Sequence, residues 1–299
     1  MQMFPDDDAA EAWLASIRWP DGPRCPYCDS YNVLAGAAHK TMLYRCRAKD
    51  CRKRFSVRIG TVLQDSKLGY QAWALAICLM TTELNRSSMK LHRDLGITQK
   101  SAWHLAHRIR EAWDIVTESM VGPVEVDDTY IGGKERNKHA HKKLHAGRGP
   151  VGKAAVVGAR NRATGQVAAK VVPNTQAGTL QGFVEGKRVP NAPVYTDGAT
   201  AYDGLAGREA VHHSVGEYVR GQVHTNGMES FWSMLKRGYH GTYRLMSVKH
   251  LQRYVNEFAG RHNVRDLDTL DQMVAIVVGL VGKRLRYADL ISGTRGVAT

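Results

Sequence analysis

Long apolar runs are missing from this sequence. The longest, from Ala72 to Met80 and from Val274 to Val281, are far too short to cross a bilayer. The first eight residues are acidic, whereas a secretory signal would begin with basic residues. Internal repeats and long low-complexity tracts are also missing. We therefore expect a soluble cytoplasmic protein without a membrane partner.

Acidic residues are scarce relative to basic ones. The 299 residues include 28 Asp and Glu against 42 Lys and Arg, which gives a formal net charge of +14. The basic residues are spread along the chain from Arg18 to Arg295. A cationic protein of this size most often binds a polyanion, and nucleic acid is the first candidate. The alternative is a basic soluble protein with no such partner.

Cysteine is rare, yet four of the five cysteines form two close pairs. Cys25 and Cys28 are separated by two residues, Cys46 and Cys51 by four, and seventeen residues lie between the pairs. Two such pairs joined by a linker of hairpin length are typical of a structural Zn²⁺ site with four thiolates. Disulfides or redox dithiols are the alternatives, and a reducing cytoplasm favours zinc. Cys78 lies in an apolar helical run and is interpreted as a core residue.

A mainly helical region is predicted over 66–115. Ser87 and Thr98 are candidate N-caps on either side of a turn at Gly96. A helix, a glycine turn and a longer basic helix over 99–113 are typical of a helix-turn-helix, although a plain helical hairpin is the alternative. Three residues at the start of the second helix would face DNA first: Gln99, Lys100 and Ser101.

The pattern changes to strands near residue 122. The predicted order is three strands, a helix, a strand, a helical turn, a strand and a helix, at 124–130, 153–160, 166–172, 175–187, 192–196, 201–205, 209–215 and from Asn226. This is the element order of a ribonuclease H-like α/β fold. In that fold the first and fourth strands are neighbours, so Asp127 and Asp197 are expected side by side.

A segment rich in Gly, Lys and His follows the first of these strands, over 131–150. Lys142 and Lys143 are candidates for contacts with a phosphate backbone, in a loop that orders on DNA. The alternative is a disordered hairpin tip.

The helix from Asn226 is predicted to have one apolar and one open face. The buried stripe consists of Met228, Phe231, Trp232 and Leu235. Glu229 and Lys236 lie on the open face, two turns apart. Three carboxylates that converge, from Asp127, Asp197 and this glutamate, would require cations, and Mg²⁺ or Mn²⁺ suits phosphoryl transfer.

The sequence resembles the DDE transposases of bacterial insertion sequences, in the ISXO-like branch with an N-terminal zinc ribbon. Five runs carry the resemblance: Cys25-Pro-Tyr-Cys28, Tyr44-Arg-Cys-Arg47, Val124 to Lys134, Thr196 to Tyr202 and His224 to Gly238. The expected domains are 1–60, a zinc ribbon with an N-terminal helix; 61–120, the helix-turn-helix region; 121–265, the ribonuclease H-like catalytic domain; and 266–299, a helical extension.

The resemblance assigns roles to individual residues. It implies that Asp127, Asp197 and Glu229 are the acidic triad, and that Lys236 is the basic residue near the transposon end. Some members of the branch use Asn at the third position, so Asn226 is an alternative to Glu229. The glutamate is preferred because a carboxylate binds Mg²⁺ better.

The implied function is binding of terminal inverted repeats, followed by Mg²⁺-dependent strand cleavage and strand transfer into target DNA. A DNA-binding regulator on an inactive scaffold and a structure-selective nuclease are the alternatives. A homodimer or higher oligomer on DNA is expected, associated with the nucleoid. The helical C-terminal region, 251–291, is expected to pack on the catalytic core or to mediate dimerisation.

Overall fold

The chain consists of two compact units. The computed structural model describes residues 3–83, 85–114, 119–133, 137, 139–144, 150–211 and 223–292, apart from the side chain of Lys142. One unit combines Met1–Asp114 with Asp266–Thr299, and the other is Ile115–Arg265. Within the described ranges, no helix has the length and apolar character needed to cross a membrane.

The elements alternate between the units in a simple order. The first unit begins with α1 (Asp7–Arg18), β1 (Val33–Leu34), β2 (Tyr44–Cys46), β3 (Arg54–Phe55), α2 (Tyr70–Thr82), α3 (Ser88–Leu95) and α4 (Gln99–Ala112). The second unit contains β4 (Val124–Ile131), β5 (Ala154–Asn161), β6 (Val167–Val172), α5 (Ala177–Glu185), β7 (Val194–Thr196), β8 (Arg208–Ala210), α6 (Asn226–Gly238) and α7 (Val248–Asn263). The last two helices, α8 (Thr269–Gly279) and α9 (Tyr287–Ile291), belong to the first unit again.

The helix pair α3 and α4 has the capping residues that the sequence predicts. The Ser87 hydroxyl accepts a hydrogen bond from the backbone N–H of Lys90, and Thr98 accepts one from Ser101. Gly96 ends α3 with φ of 62°, a left-handed conformation in which glycine carries no steric penalty. The predicted helix, glycine turn and second helix are therefore confirmed as structural elements.

The helices α8 and α9 belong to the first unit, and α8 packs there. The buried face of α8 contacts α1, α2 and α4. At its end the helix approaches α4 so closely that a Cβ on Gly279 would lie 2.3 Å from the backbone oxygen of Ala112. In the second unit, α7 packs on β6. The expected role of the C-terminal region in dimerisation stays a prediction.

The second unit is built on a five-stranded sheet with the order β6-β5-β4-β7-β8. Strands β6, β5 and β4 are antiparallel neighbours, while β4, β7 and β8 run parallel. The first and fourth strands of this unit are thus adjacent, as expected from the sequence. The last strand is shorter than predicted, with Arg208–Ala210 in place of 209–215, and residues 212–215 lie outside the described part.

Helices cover both faces of this sheet. One face carries α6 and α7, through a core that includes Val156, Phe231, Trp232 and Phe258. The other face carries α5, through a core that includes Val126 and Val157. Because β5 is buried on both faces, its sequence is a continuous apolar run. This three-layer arrangement leaves the end of β4 and the exposed side of α6 free to form a site.

Candidate active site

Asp127 lies in the middle of β4, on the face of the sheet covered by α6. One of its carboxylate oxygens, Oδ1, accepts the backbone N–H of Asp128 at 2.9 Å. The other, Oδ2, accepts the indole N–H of Trp232 at 3.1 Å. Because side chains alternate along a strand, Asp128 points to the opposite face, where it accepts a hydrogen bond from the Tyr202 hydroxyl at 3.1 Å.

The environment of Asp127 opposes its negative charge. Burial is the largest cause and repulsion by Asp197 the next, and together with smaller contributions from Asp128 and Glu229 they raise the pKa of Asp127 to about 7. Burial also raises the pKa of Asp128, with Asp197 adding to it. The negative charges of Asp197 and Glu229 therefore both act on Asp127, that of Asp197 more strongly.

Asp197 directly follows β7, and the strand register places it next to Asp127. Glu125 on β4 pairs with Tyr195 on β7 in a parallel register, so the positions two residues further along are 127 and 197. The side chain of Asp197 accepts the backbone N–H of Ala199 at 3.1 Å. Its carbonyl oxygen accepts a hydrogen bond from Arg208, at 3.0 Å, which fixes the loop after β7.

Glu229 lies on the exposed face of α6, as the helical pattern predicts. Its carboxylate accepts a hydrogen bond from the Thr225 hydroxyl at 3.3 Å. Asn226, the alternative third residue, is the first residue of the same helix and is exposed. Its negative charge makes a small contribution to the raised pKa of Asp127.

The three carboxylates are arranged more openly than the cysteines of the first unit. Among the described residues, only the four cysteines place three or more possible ligand atoms within 4.8 Å of one another. Mutual repulsion of carboxylates is consistent with the wider spacing of the acidic group. The side chain of Glu229 is exposed, and its carboxylate is bonded to Thr225.

The four cysteines converge on one point beside the small sheet β1-β2-β3. The sulfur atoms of Cys25 and Cys51 lie 3.7 Å apart, and those of Cys28 and Cys46 3.6 Å apart. A zinc ion bound tetrahedrally at about 2.3 Å requires sulfur atoms about 3.8 Å apart. The quartet therefore fits structural Zn²⁺, as predicted, and Cys78 lies apart from it on α2.

The residues predicted to face DNA occupy several places. Gln99 and Lys100 are exposed at the start of α4 and Ser101 is half-buried there. The Lys100 ammonium lies 4.5 Å from the centre of the Tyr287 ring. Lys236 is exposed on α6, where it lines a groove with Ser233, Arg237 and others. Lys143 is half-buried, while the side chain of Lys142 lies outside the described part.

The basic character of α4 is not directed wholly towards solvent. His107, Arg108 and Arg110 are buried. Arg108 donates hydrogen bonds to the backbone oxygens of Leu285, at 3.0 Å, and Gln64, at 3.2 Å. A guanidinium group has five donors and can connect separate backbone segments within a fold. Part of this helix's charge is therefore structural, which its sequence does not reveal.

Two residues near Asp127 have contacts that the sequence pattern did not identify. Trp232, interpreted as a core residue, is buried but also donates to Asp127. His224 contacts Arg162 through Nε2. The helical period predicted which side of α6 is buried, but it could not show that the indole N–H reaches the strand.

Comparisons with known proteins agree with the sequence resemblance. Residues 119–263 match the ISXO2-like transposase domain, and residues 5–54 match a transposase zinc-ribbon domain. A protein in transposable element ISH50 of Halobacterium salinarum is 30% identical over 279 residues, which cover 88% of this chain and 93% of that protein. A transposase-like protein of Haemophilus influenzae is 30% identical over 96 residues, 31% of this chain and 77% of that protein. The chain therefore belongs to the ISXO2-like family of insertion-sequence transposases, with an N-terminal zinc ribbon.

Proposed function

We propose that this transposase cuts and joins DNA at a divalent metal site formed by Asp127, Asp197 and Glu229. The observation that supports it most is the position of Asp127. This carboxylate is half-buried, has a pKa raised to about 7, and is repelled by the other two carboxylates. Because maintaining such repulsion costs stability, clustered carboxylates of this kind are most often functional.

The sheet supports a ribonuclease H-like core. Three antiparallel strands are followed by two strands parallel to the first, with helices on both faces. This order places one acidic residue on the central strand and one at the end of its parallel neighbour. Strand ends of this kind are where α/β sheets bind their ligands.

The donor set suits Mg²⁺ or Mn²⁺. All three groups are carboxylates, which hard divalent cations prefer over nitrogen or sulfur ligands. Bound ions would activate a water molecule and stabilise the leaving oxygen during phosphoryl transfer. The chain itself holds Asp127 through the Trp232 indole and holds the loop of Asp197 through Arg208. Glu229 is the exposed member of the set.

The proposed reaction has two steps. The first hydrolyses one phosphodiester bond, and the second exchanges one phosphodiester bond for another. Water attacks the phosphorus at the element's end, and the bond to the 3′ oxygen breaks to leave a 3′-hydroxyl. That hydroxyl then attacks a target phosphodiester, forming a new bond as the target's own 3′ oxygen leaves. A covalent intermediate with the protein is not part of this scheme.

DNA binding is assigned to three surfaces. The zinc ribbon and the start of α4, with Gln99, Lys100 and Ser101, are proposed to bind the terminal repeats as a helix-turn-helix would. Lys236 on α6 and the lysines 142 and 143 are proposed to contact phosphates beside the acidic site. A net charge of +14 favours such contacts. Assembly as a dimer or higher oligomer on two element ends, at the nucleoid, is part of the same proposal.

A strand-transfer assay tests the proposal. Labelled DNA carrying the element's own terminal repeats is incubated with the purified protein and a target plasmid, with Mg²⁺ or with chelator. Asp197→Ala is the inactive comparison. Products that require both Mg²⁺ and Asp197 support the transposase.

The alternatives predict different products in the same assay. Equal DNA binding with no cleavage by either protein indicates a regulator on an inactive scaffold. Cleavage without joining indicates a nuclease. Either result would overturn the proposed strand transfer.

A further inference from the structure

A buried glutamate lies two residues before Asp127 on the same face of β4. Glu125 is 1% exposed. Its Oε1 accepts hydrogen bonds from Arg162 Nε at 2.8 Å and Arg160 Nη1 at 3.3 Å. Its Oε2 accepts the backbone N–H of Met228 at 3.1 Å. A buried carboxylate with two arginine partners is strongly specified in position, because removing one member leaves an uncompensated charge.

The bond to Met228 replaces a missing helix cap. The first N–H groups of a helix have no partners inside it and need acceptors from elsewhere. At α6 the N-cap residue is Thr225, whose hydroxyl is directed to the Glu229 carboxylate instead. Glu125 supplies the acceptor from the neighbouring strand, and its negative charge also interacts favourably with the positive end of the helix dipole.

Gly227 permits this close approach. A Cβ on Gly227 would lie 2.6 Å from Oε2 of Glu125 and 2.4 Å from Nη1 of Arg160. A side chain there would displace the Glu125 carboxylate or the Arg160 guanidinium from these positions. The glycine thus leaves room for the buried carboxylate at the start of the helix.

A second bond joins the same two elements one step further along. Glu125 accepts a hydrogen bond from the Met228 backbone N–H, and Asp127 accepts one from the Trp232 indole N–H. Two residues along a strand span about 6.6 Å, and four residues along a helix span about 6.0 Å. The two bonds therefore match in spacing and fix both the height and the rotation of α6 on β4. Glu229 follows Met228 directly and lies between these two bonds.

We propose that Glu125 is a positioning residue, which sets Glu229 against Asp127 so that the acidic site can bind a divalent cation. The inference rests on the proposed metal site and adds the residue that aligns its two elements. Partners that orient metal ligands typically contribute about 10- to 100-fold in metal affinity.

Glu125→Gln and Gly227→Ala test the inference from the two sides of the contact. The glutamine keeps the shape but offers an N–H group where the arginines already donate, so it cannot satisfy both sets of partners. The alanine keeps the charges but adds the Cβ. Glu257→Gln is the matched control, because Glu257 is a buried glutamate on α7 whose carboxylate lies 4.0 Å from Arg261.

The readout is the indole N–H signal of Trp232 in protein labelled with ¹⁵N-tryptophan. The chain has six tryptophans, and Trp232→Phe identifies the signal that disappears. Because this N–H bonds to Asp127, the signal should move as Mg²⁺ is added. Circular dichroism and thermal denaturation establish that each variant is folded at the temperature of the titration.

We expect the Mg²⁺ concentration at half-shift to rise about 10- to 100-fold in both site variants and to stay within twofold of wild type in Glu257→Gln. Binding of terminal-repeat DNA should change little in all three. A wild-type signal that ignores Mg²⁺ would overturn the proposed metal site together with this inference. Folded site variants with the wild-type midpoint would overturn the inference alone. If Glu125→Gln does not fold, Gly227→Ala decides.

Discussion

At the scale of single residues, the site depends on the carboxylate of Asp127. It combines burial, a bond from an indole N–H and repulsion from neighbouring carboxylates. Burial and like charges raise the pKa of an acid, while the hydrogen bonds to its ionised form oppose that rise. The balance leaves a group that loses its proton near neutral pH, where a cation can compete for it.

The raised pKa of Asp127 predicts a pH-dependent stability. Since its folded pKa of about 7 lies above the ordinary value of 3.8 for an aspartic acid, the folded state binds the proton more tightly. The resulting stabilisation is present at low pH and is lost as the pH rises from about 4 through about 7. Mg²⁺ needs the ionised form, so its stabilising effect should increase between pH 6 and pH 8.

Thermal denaturation of wild type and Asp127→Asn, with and without Mg²⁺, measures this effect. The asparagine variant should lose both the Mg²⁺ response and this part of the pH dependence. The same Mg²⁺ response in both proteins would place the ion elsewhere.

At the scale of elements, α6 is held unusually close to the sheet. Gly158 on β5 lies opposite Asp127 in the register. A Cβ there would lie 2.3 Å from Cε of Met228 and 2.8 Å from Cζ2 of Trp232. Because Gly158 has no side chain, the Trp232 ring of α6 can lie over β5 and its N–H can reach Asp127 on the adjacent strand, β4.

Gly158→Ala is therefore predicted to destabilise the second unit by about 1–3 kcal/mol, because the buried ring has no space to move. Gly178→Ala is the control, since nothing lies within 4 Å of its Cβ position on α5. That change should be neutral or stabilise by up to about 1 kcal/mol, as alanine favours helices. Urea denaturation compares the two, and equal stability of both variants would contradict the close packing of α6.

The zinc ribbon gives a second prediction for an element. Cys28→Ser removes one of four ligands. It should lower the zinc content to less than one ion per chain and reduce the thermal stability of the ribbon. Cys78→Ser should keep the full zinc content, because Cys78 lies on α2 outside the quartet. Mass spectrometry measures the zinc bound to each variant. A wild-type protein that keeps its thermal stability after the zinc is removed would contradict a structural ion.

Local patterns predicted some of these elements well. The buried stripe of α6 follows from its period, and the cysteine quartet follows from its spacing, because both depend on residues close in sequence. The caps of α3 and α4 belong to the same class. Contacts between distant segments were not predictable: the buried arginines of α4, the indole bond to Asp127 and the packing of α8 all depend on which surfaces meet.

At the scale of the whole molecule, the excess of basic residues is the dominant property. A net charge of +14 predicts DNA binding that weakens steeply as salt increases, because each neutralised phosphate releases counterions. Some of that charge is internal, as Arg108 and Arg110 show. The charges that bind DNA must be exposed, and Lys236, on the open face of α6, meets that requirement.

Lys236→Ala should lower the slope of log affinity against log salt by about 0.9, the value for one phosphate contact on duplex DNA. Lys170→Ala, which removes an exposed lysine from β6, is the control with the same change in net charge. Fluorescence anisotropy with terminal-repeat DNA measures both. Identical slopes for the two variants would remove Lys236 from the DNA-binding surface.

The most direct test of the acidic site is anomalous X-ray scattering from crystals soaked in Mn²⁺. We expect anomalous density between the carboxylates of Asp127, Asp197 and Glu229. The Glu229 side chain should turn away from Thr225 and bind the Mn²⁺ ion. Density should be absent at this place in Asp197→Ala crystals. Ordered wild-type crystals with no anomalous density among these three carboxylates would contradict the assignment of a shared metal site.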